Sequence, residues 1–229
     1  MCRPTYCVEQ MAKKERFTQA ETPKLISDPK AIAAKEVVNG LIQFDAALAE
    51  ITTGIERSGK YRLRPSLILA LHRMAVEGIE TFAGTWRPGA VKISKSNHVP
   101  PDASIVPEMI EEMCDHVNDN WETISAIELS AYVLWKLCWI HPFTDGNGRT
   151  ARVVSYIVLC IALGTHLPGI NTIPAQIAAN KSPYYDALEH ADEAYKVDEN
   201  INLAVMNELL ESLLAKQLVI IHQKAKNST

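Results

Sequence analysis

His141-Pro142-Phe143-Thr144-Asp145-Gly146-Asn147-Gly148-Arg149-Thr150-Ala151-Arg152 separates two long apolar runs, residues 132–140 and 153–163. A residue before proline is pushed out of the right-handed helical region, so a helix over 125–140 should end at His141. The glycine-rich turn then opens a second helix over 148–163, which Gly164 stops. Two buried helices joined by a polar loop make a helical domain with chemistry at the joint.

The loop holds what is needed to grip a polyphosphate and deprotonate a hydroxyl. Gly146 and Gly148 tolerate the strained backbone angles that turn successive N–H groups toward one point, and such a nest binds anions. At a helix N-terminus the unpaired N–H groups and the dipole add to that preference. Arg149 and Arg152, three apart, share a helix face and read as a clamp for phosphate oxygens. Asp145, beside the nest, is the usual protein contribution to a Mg²⁺ site completed by phosphate oxygens and water. His141, neutral at its ordinary pKa, can take a proton from an incoming hydroxyl. Phe143, apolar in a polar loop, should plug into the core.

These residues together resemble the Fic family motif, a His-Pro-Phe start, any residue, an acid, Gly-Asn-Gly-Arg, two residues and Arg. Segments upstream (Leu71-His72-Arg73, Ala83-Gly84-Thr85-Trp86-Arg87, Val91-Lys92-Ile93 and His98-Val99-Pro100-Pro101) and downstream (Tyr184-Tyr185-Asp186-Ala187-Leu188) are similar to the same family, which extends the likeness over about residues 60–215. The resemblance implies an all-α, Fic-like helical domain with one short β-hairpin, the flap. It also implies a protein adenylyltransferase that moves AMP from ATP to a Ser, Thr or Tyr hydroxyl of a target protein. By the same resemblance His141 is the base, Asp145 holds Mg²⁺, and Gly146, Asn147, Gly148, Arg149 and Arg152 hold ATP. Tyr184 and Tyr185 line the adenine side, and Val91, Lys92 and Ile93 dock the target by strand addition.

Along the chain, residues 1–29 read as a mobile arm and 30–59 as a helical accessory segment, with the Fic-like domain over 60–222. Apolar residues Val37, Val38, Leu41, Ile42, Ala46, Leu48 and Ile51 recur at helical spacing over 31–52. Further helices are expected over 65–77 and 105–118 and from about Pro174, Ser182 and Ile201, the last with an apolar stripe of Leu209, Leu210, Leu213, Leu214 and Leu218. The Gly, Pro and Ser content of 84–101 excludes helix and favours a hairpin, with 90–93 as its strand. Trp135, Trp139 and Tyr132 read as core packing, and His72 as a hydrogen-bonded structural histidine.

The 229 residues are 47% hydrophobic with net charge −4, which gives no electrostatic reason to expect nucleic acid or an anionic membrane as partner. No apolar run approaches the ~20 residues of a membrane span. Five scattered cysteines, Cys2, Cys7, Cys114, Cys138 and Cys160, read as reduced thiols of a cytoplasmic protein.

Many Fic proteins carry an inhibitory Ser or Thr, three residues, Glu, then Gly or Asn, whose Glu pairs with the second motif arginine. No such pattern is complete here. Inhibition then uses a divergent glutamate, Glu36 or Glu56 facing Arg152, or a separate antitoxin-like protein, or is absent. The expected partners are a protein with an exposed hydroxyl, ATP and, as an open alternative, a second copy of the chain. Two other functions stay open: transfer of another phosphate-containing group, and a non-catalytic nucleotide-sensing module.

Overall fold

The computed structural model describes residues 15–20, 22–57 and 59–226, and the arm residues 1–14 lie outside it. Its elements in chain order are β1 (Thr18–Gln19), α1 (Pro29–Arg57), α2 (Pro65–Val76), β2 (Lys92–Ile93), α3 (Val106–Asp119), α4 (Ala126–Ile140), α5 (Asn147–Ala162), α6 (Ile173–Ala179), α7 (Ser182–Asp198) and α8 (Ala204–Lys226), with a 3₁₀ turn at Ala103–Ile105 before α3. The fold is all-α with a single antiparallel two-stranded pairing among the described residues. No helix among them is long and apolar enough to cross a membrane.

The centre is the α4–α5 pair. α4 starts at a reciprocal capping box: Ser125 accepts from the Glu128 N–H and the Glu128 carboxylate accepts from the Ser125 N–H. α4 is buried on nearly every side, with Leu129, Val133, Leu134 and Trp135 shut away from water, and so is α5 along residues 153–160. Where they cross, Ser130 and Ser155 hydroxyls stand 2.8 Å apart and each donates to the other's backbone carbonyl, a contact only small side chains permit. Gly164, at φ 64°, follows α5 as expected. Trp135 is buried with its indole N–H on Asp192 at 2.9 Å, so it belongs to the core.

α1 departs from the expectation in length and in facing. It runs on to Arg57 through Thr52, Thr53 and Gly54, because Gly54 packs so closely on α5 that an added Cβ would lie 2.2 Å from Ile161 Cδ1. The two threonine hydroxyls return to the carbonyls of Leu48 and Ala49. Val37, Val38, Leu41 and Ile42 face outward, each half or more exposed, while Asn39 and Gln43 are buried. The polar pair faces inward because α2 ends beneath it. Asn39 Nδ2 donates to the carbonyls of Glu77 (2.9 Å) and Ala75 (3.4 Å), and Gln43 Nε2 donates to that of Leu71 (3.0 Å). The Ala75 and Glu77 oxygens, at and just past the end of α2, have no following helical turn to pair with.

The strand expected within 84–101 is β2, and its partner comes from the other end of the sequence. Thr18 pairs with Ile93 and Gln19 with Lys92. The described part of the arm, residues 15–20 and 22–28, runs back over the domain, with Leu25 N–H bonded to Ile79 O and the Thr81 hydroxyl to Pro23 O.

Candidate active site

The loop between α4 and α5 is built around its apolar residue. Phe143 is fully buried between the His72 ring, stacked at 3.6 Å, and the Trp86 ring at 5.3 Å. Asn147 clamps the same residue from above: its Oδ1 accepts the Phe143 N–H at 2.9 Å and its Nδ2 donates to the Phe143 carbonyl at 2.8 Å. The Asn147 side chain therefore shapes the loop, and its backbone N–H is what the nest can offer a ligand.

Gly146 sits at φ 74° and caps α5. A Cβ there would lie 2.7 Å from Val76 and 3.3 Å from His72, so both the angle and the space require glycine. The first helical bond of α5 runs from the Thr150 N–H to Gly146 O, which leaves the N–H groups of Asn147, Gly148 and Arg149 ahead of the helical ladder. Arg152 Nη1 would be 3.1 Å from a Cβ on Gly148, so the guanidinium lies against the turn. Arg149 Nη1 reaches the Ala75 carbonyl at 3.2 Å and Glu36 at 3.0 Å, and its Nη2 stands 3.7 Å from Asp145.

His141 is the residue just past α4, in a left-handed conformation with φ 51° and ψ 59°, not the extended one that a following proline favours. Arg87, buried, fixes it there by donating Nε to the His141 carbonyl at 2.9 Å and its N–H to the Pro142 carbonyl at 2.8 Å. The imidazole faces the cleft, Nδ1 3.3 Å from the Cys138 carbonyl and Nε2 2.8 Å from the Thr18 hydroxyl. A carbonyl only accepts, so Nδ1 carries the proton and Nε2 offers its lone pair. Burial brings the imidazole pKa down to about 4, which the Cys138 hydrogen bond opposes and the nearby His98 and Arg87 charges reinforce.

Asp145 points into the cleft, its Oδ1 accepting from the Gly146 N–H at 2.6 Å and its Oδ2 4.0 Å from Lys24 Nζ. Lys24 also stands 3.4 Å from Glu80, whose buried Oε1 has no hydrogen-bond partner. Burial and the Asp145 charge raise the Glu80 pKa. Two carboxylates sharing one ammonium suit a divalent cation as well. Among the described residues no three His, Cys, Asp or Glu side chains are grouped to hold a metal by themselves, so Mg²⁺ here would need ligand oxygens and water.

One cavity of about 470 Å³ has His141, Asp145, Gly146, Asn147, Gly148, Arg149, Arg152, Tyr184 and Tyr185 all on its wall. That volume lies within the usual range for small-molecule sites. Tyr184 is almost fully buried, its hydroxyl 2.8 Å from Cys138 Sγ, while the Tyr185 ring carries the Arg16 guanidinium 4.6 Å from its centroid. Of the flap residues, Ile93 borders the cavity, Lys92 is exposed and Val91 is buried. Of the two glutamates considered for regulation, Glu36 is in the cleft, but on Arg149 and not on Arg152. Glu56 is exposed, and its 20 positions along α1 from Glu36 correspond to about 30 Å of helix.

Sequence reading did not anticipate the positioning role of His72. It donates Nε2–H to the Asp145 carbonyl at 3.0 Å and accepts the Gly84 N–H on Nδ1 at 3.0 Å, so it ties the nest to the 84–101 segment. Its structural character follows from the apolar residues around it, but its target, seventy-three positions away, does not.

Residues 62–159 match the model of the Fic/DOC family. A protein of Nematostella vectensis named protein adenylyltransferase Fic is 32% identical over 153 residues, covering 62% of this chain and 34% of the relative. The chain thus spans about a third of that relative's length. A Fic domain containing signaling protein from Bacteroides thetaiotaomicron superposes with a TM-score of 0.64 at 20% identity, over 82% of this chain and 72% of that one. Fic-1 from C. elegans does so with 0.61 at 23%, over 87% and 56%. At these identities the structural likeness is one of fold. With the motif at the α4–α5 joint and the helical frame around it, residues 62–159 carry the match to the Fic/DOC family, and the chain is similar to relatives named protein adenylyltransferase Fic.

Proposed function

We propose that the chain transfers AMP from ATP to a hydroxyl of a protein, with His141 as the base. The observation that carries this reading is the His141 imidazole: neutral, proton on Nδ1, and with Nε2 already 2.8 Å from a side-chain hydroxyl at the rim of an anion nest. A general base needs that reach and that protonation state.

The residues divide the work by their chemistry. The N–H groups of Asn147, Gly148 and Arg149 and the N-terminus of α5 hold phosphate oxygens, and the guanidinium of Arg152 neutralises their charge. Arg149 joins them once Glu36 releases it. Asp145, with Glu80 behind it, would hold Mg²⁺, which would supply charge neutralisation on the phosphates. His141 Nε2 takes the proton of the attacking hydroxyl as oxygen meets the α-phosphorus, and the clamp stabilises the departing pyrophosphate. Named relatives that are protein adenylyltransferases support the choice of AMP over another group.

The test uses α-labelled and γ-labelled ATP with a cell extract. His141→Ala should bind Mg·ATP as tightly as the wild type and lose transfer of the α-label by about 10² or more. Transfer of the γ-label would reassign the reaction. Tight binding without transfer of either label would replace the enzyme with a nucleotide-sensing module.

A further inference from the structure

The hydroxyl that His141 meets belongs to the chain itself. β1 adds to the edge of β2, with the Ser94 N–H on Phe17 O at 2.9 Å and the Phe17 N–H on Ser94 Oγ at 2.9 Å extending the ladder. Side chains alternate along a strand, so Phe17 and Gln19 face solvent while Thr18 turns into the cleft. There its Oγ1 is 2.8 Å from His141 Nε2 and accepts from Asn147 Nδ2 at 3.3 Å. The imidazole nitrogen facing it has no proton, so the Thr18 hydroxyl donates.

The register is held from outside the strand pair. The Arg16 N–H donates to the Tyr185 hydroxyl at 3.2 Å, its guanidinium pairs with Glu189 and covers the Tyr185 ring, and Glu15 meets Lys181 at 2.6 Å. A slip by one residue would turn Thr18 to solvent and bring Phe17 or Gln19 onto the base. With the arm so placed, the cavity still measures about 470 Å³ and reaches from Thr18 to Arg149 and Arg152, room for a triphosphate beside the strand.

We propose that Thr18 is an acceptor of the chain's own transfer reaction, an internal AMP modification site. This rests on the adenylyltransferase reading above and adds the acceptor to it. Thr18 Oγ1 attacks the α-phosphorus of ATP and forms the O–P bond as the bond from that phosphorus to the bridging oxygen of the β-phosphate breaks. The hydroxyl proton passes to His141 Nε2, pyrophosphate leaves, and Thr18 carries AMP as a phosphodiester. Until then the arm occupies the β2 edge that an incoming target strand would use, so modification in cis and transfer to targets compete for one position.

The experiment incubates the full chain with Mg²⁺ and α-labelled ATP, alone and in a cell extract, and maps the label by peptide mass spectrometry. One AMP on the fragment containing Thr18 is expected, with a rate constant unchanged on serial dilution, because base and acceptor are on the same chain. Thr18→Val should reduce that label to background and Thr18→Ser should retain it, with far-ultraviolet circular dichroism showing both variants folded. Label on other residues with Thr18 unmodified, or a Thr18→Val chain that self-labels like the wild type, overturns the assignment. If extract proteins are labelled while Thr18 is not, only this inference falls. If neither the wild type nor Glu36→Gly labels any protein, the adenylyltransferase reading falls with it.

Discussion

His141 needs no neighbouring carboxylate to act as a base, because burial already makes it neutral at physiological pH. With its pKa lowered to about 4, the imidazole stays deprotonated well below 6.5. Transfer should therefore hold nearly constant from neutral pH down to about 5 and fall only as pH approaches 4. A pH–rate profile of α-label transfer, taken on samples whose fold is checked at each pH, tests this, and an acidic limb near 6.5 would contradict it. Glu36 bears on the same site through Arg149. Both side chains are partly exposed, so the 3.0 Å pair is worth about 0.2–1 kcal/mol, or up to about fivefold in an equilibrium. Glu36→Gly should lower the KM for ATP by up to about that factor, and an unchanged KM would mean that Arg149 does not contact the phosphates. The motif residues could be read from the sequence because their spacing is local. Arg87 could not, since nothing in the sequence says that its guanidinium crosses to the carbonyl of a residue fifty-four positions away.

Among the elements, α4 and α5 were legible and the facing of α1 was not. The helix over 125–140 and the one after the glycine turn could be read because near-continuous apolar runs on either side of a polar loop admit buried helices. In α1 the apolar spacing runs from Val37 to Ile51, and Ile51 is buried as expected, yet Val37, Val38, Leu41 and Ile42 are exposed and the buried side there belongs to Asn39, Gln43 and Ala47. The competing interaction is the end of α2, whose unpaired carbonyls need donors, and a buried acceptor without one costs more than an exposed valine forfeits. Asn39→Ala should accordingly destabilise the protein by about 1–3 kcal/mol in urea denaturation. Val38→Ala, on the exposed side, should shift stability by no more than about 0.5 kcal/mol. Equal effects of the two would mean that the helix is turned the other way.

At the scale of the whole molecule, the arm and the catalytic loop are joined by the strand pair that sequence reading placed within 84–101 alone. A two-residue strand at Thr18–Gln19 has too little periodicity to announce itself, and its pairing depends on the edge that β2 offers. The loop beneath rests on two buried, neutral histidines, His72 and His141, each with its pKa lowered by burial from 6.5 to about 4. The unfolded chain binds those protons near 6.5 and the native state does not, so their contribution is fully present above 6.5 and is lost as pH falls toward 4. Within that window each histidine lowers unfolding free energy by up to about 1.4 kcal/mol per pH unit. Glu80 and Asp192, whose pKa values burial raises, act in the opposite sense and offset part of the loss. Urea midpoints at pH 7 and pH 5 should thus show a clear acid destabilisation, and His141→Ala, which removes one of the two titrations, should show a smaller one. A variant with the same pH slope as the wild type would mean that His141 is already open to water before any target arrives.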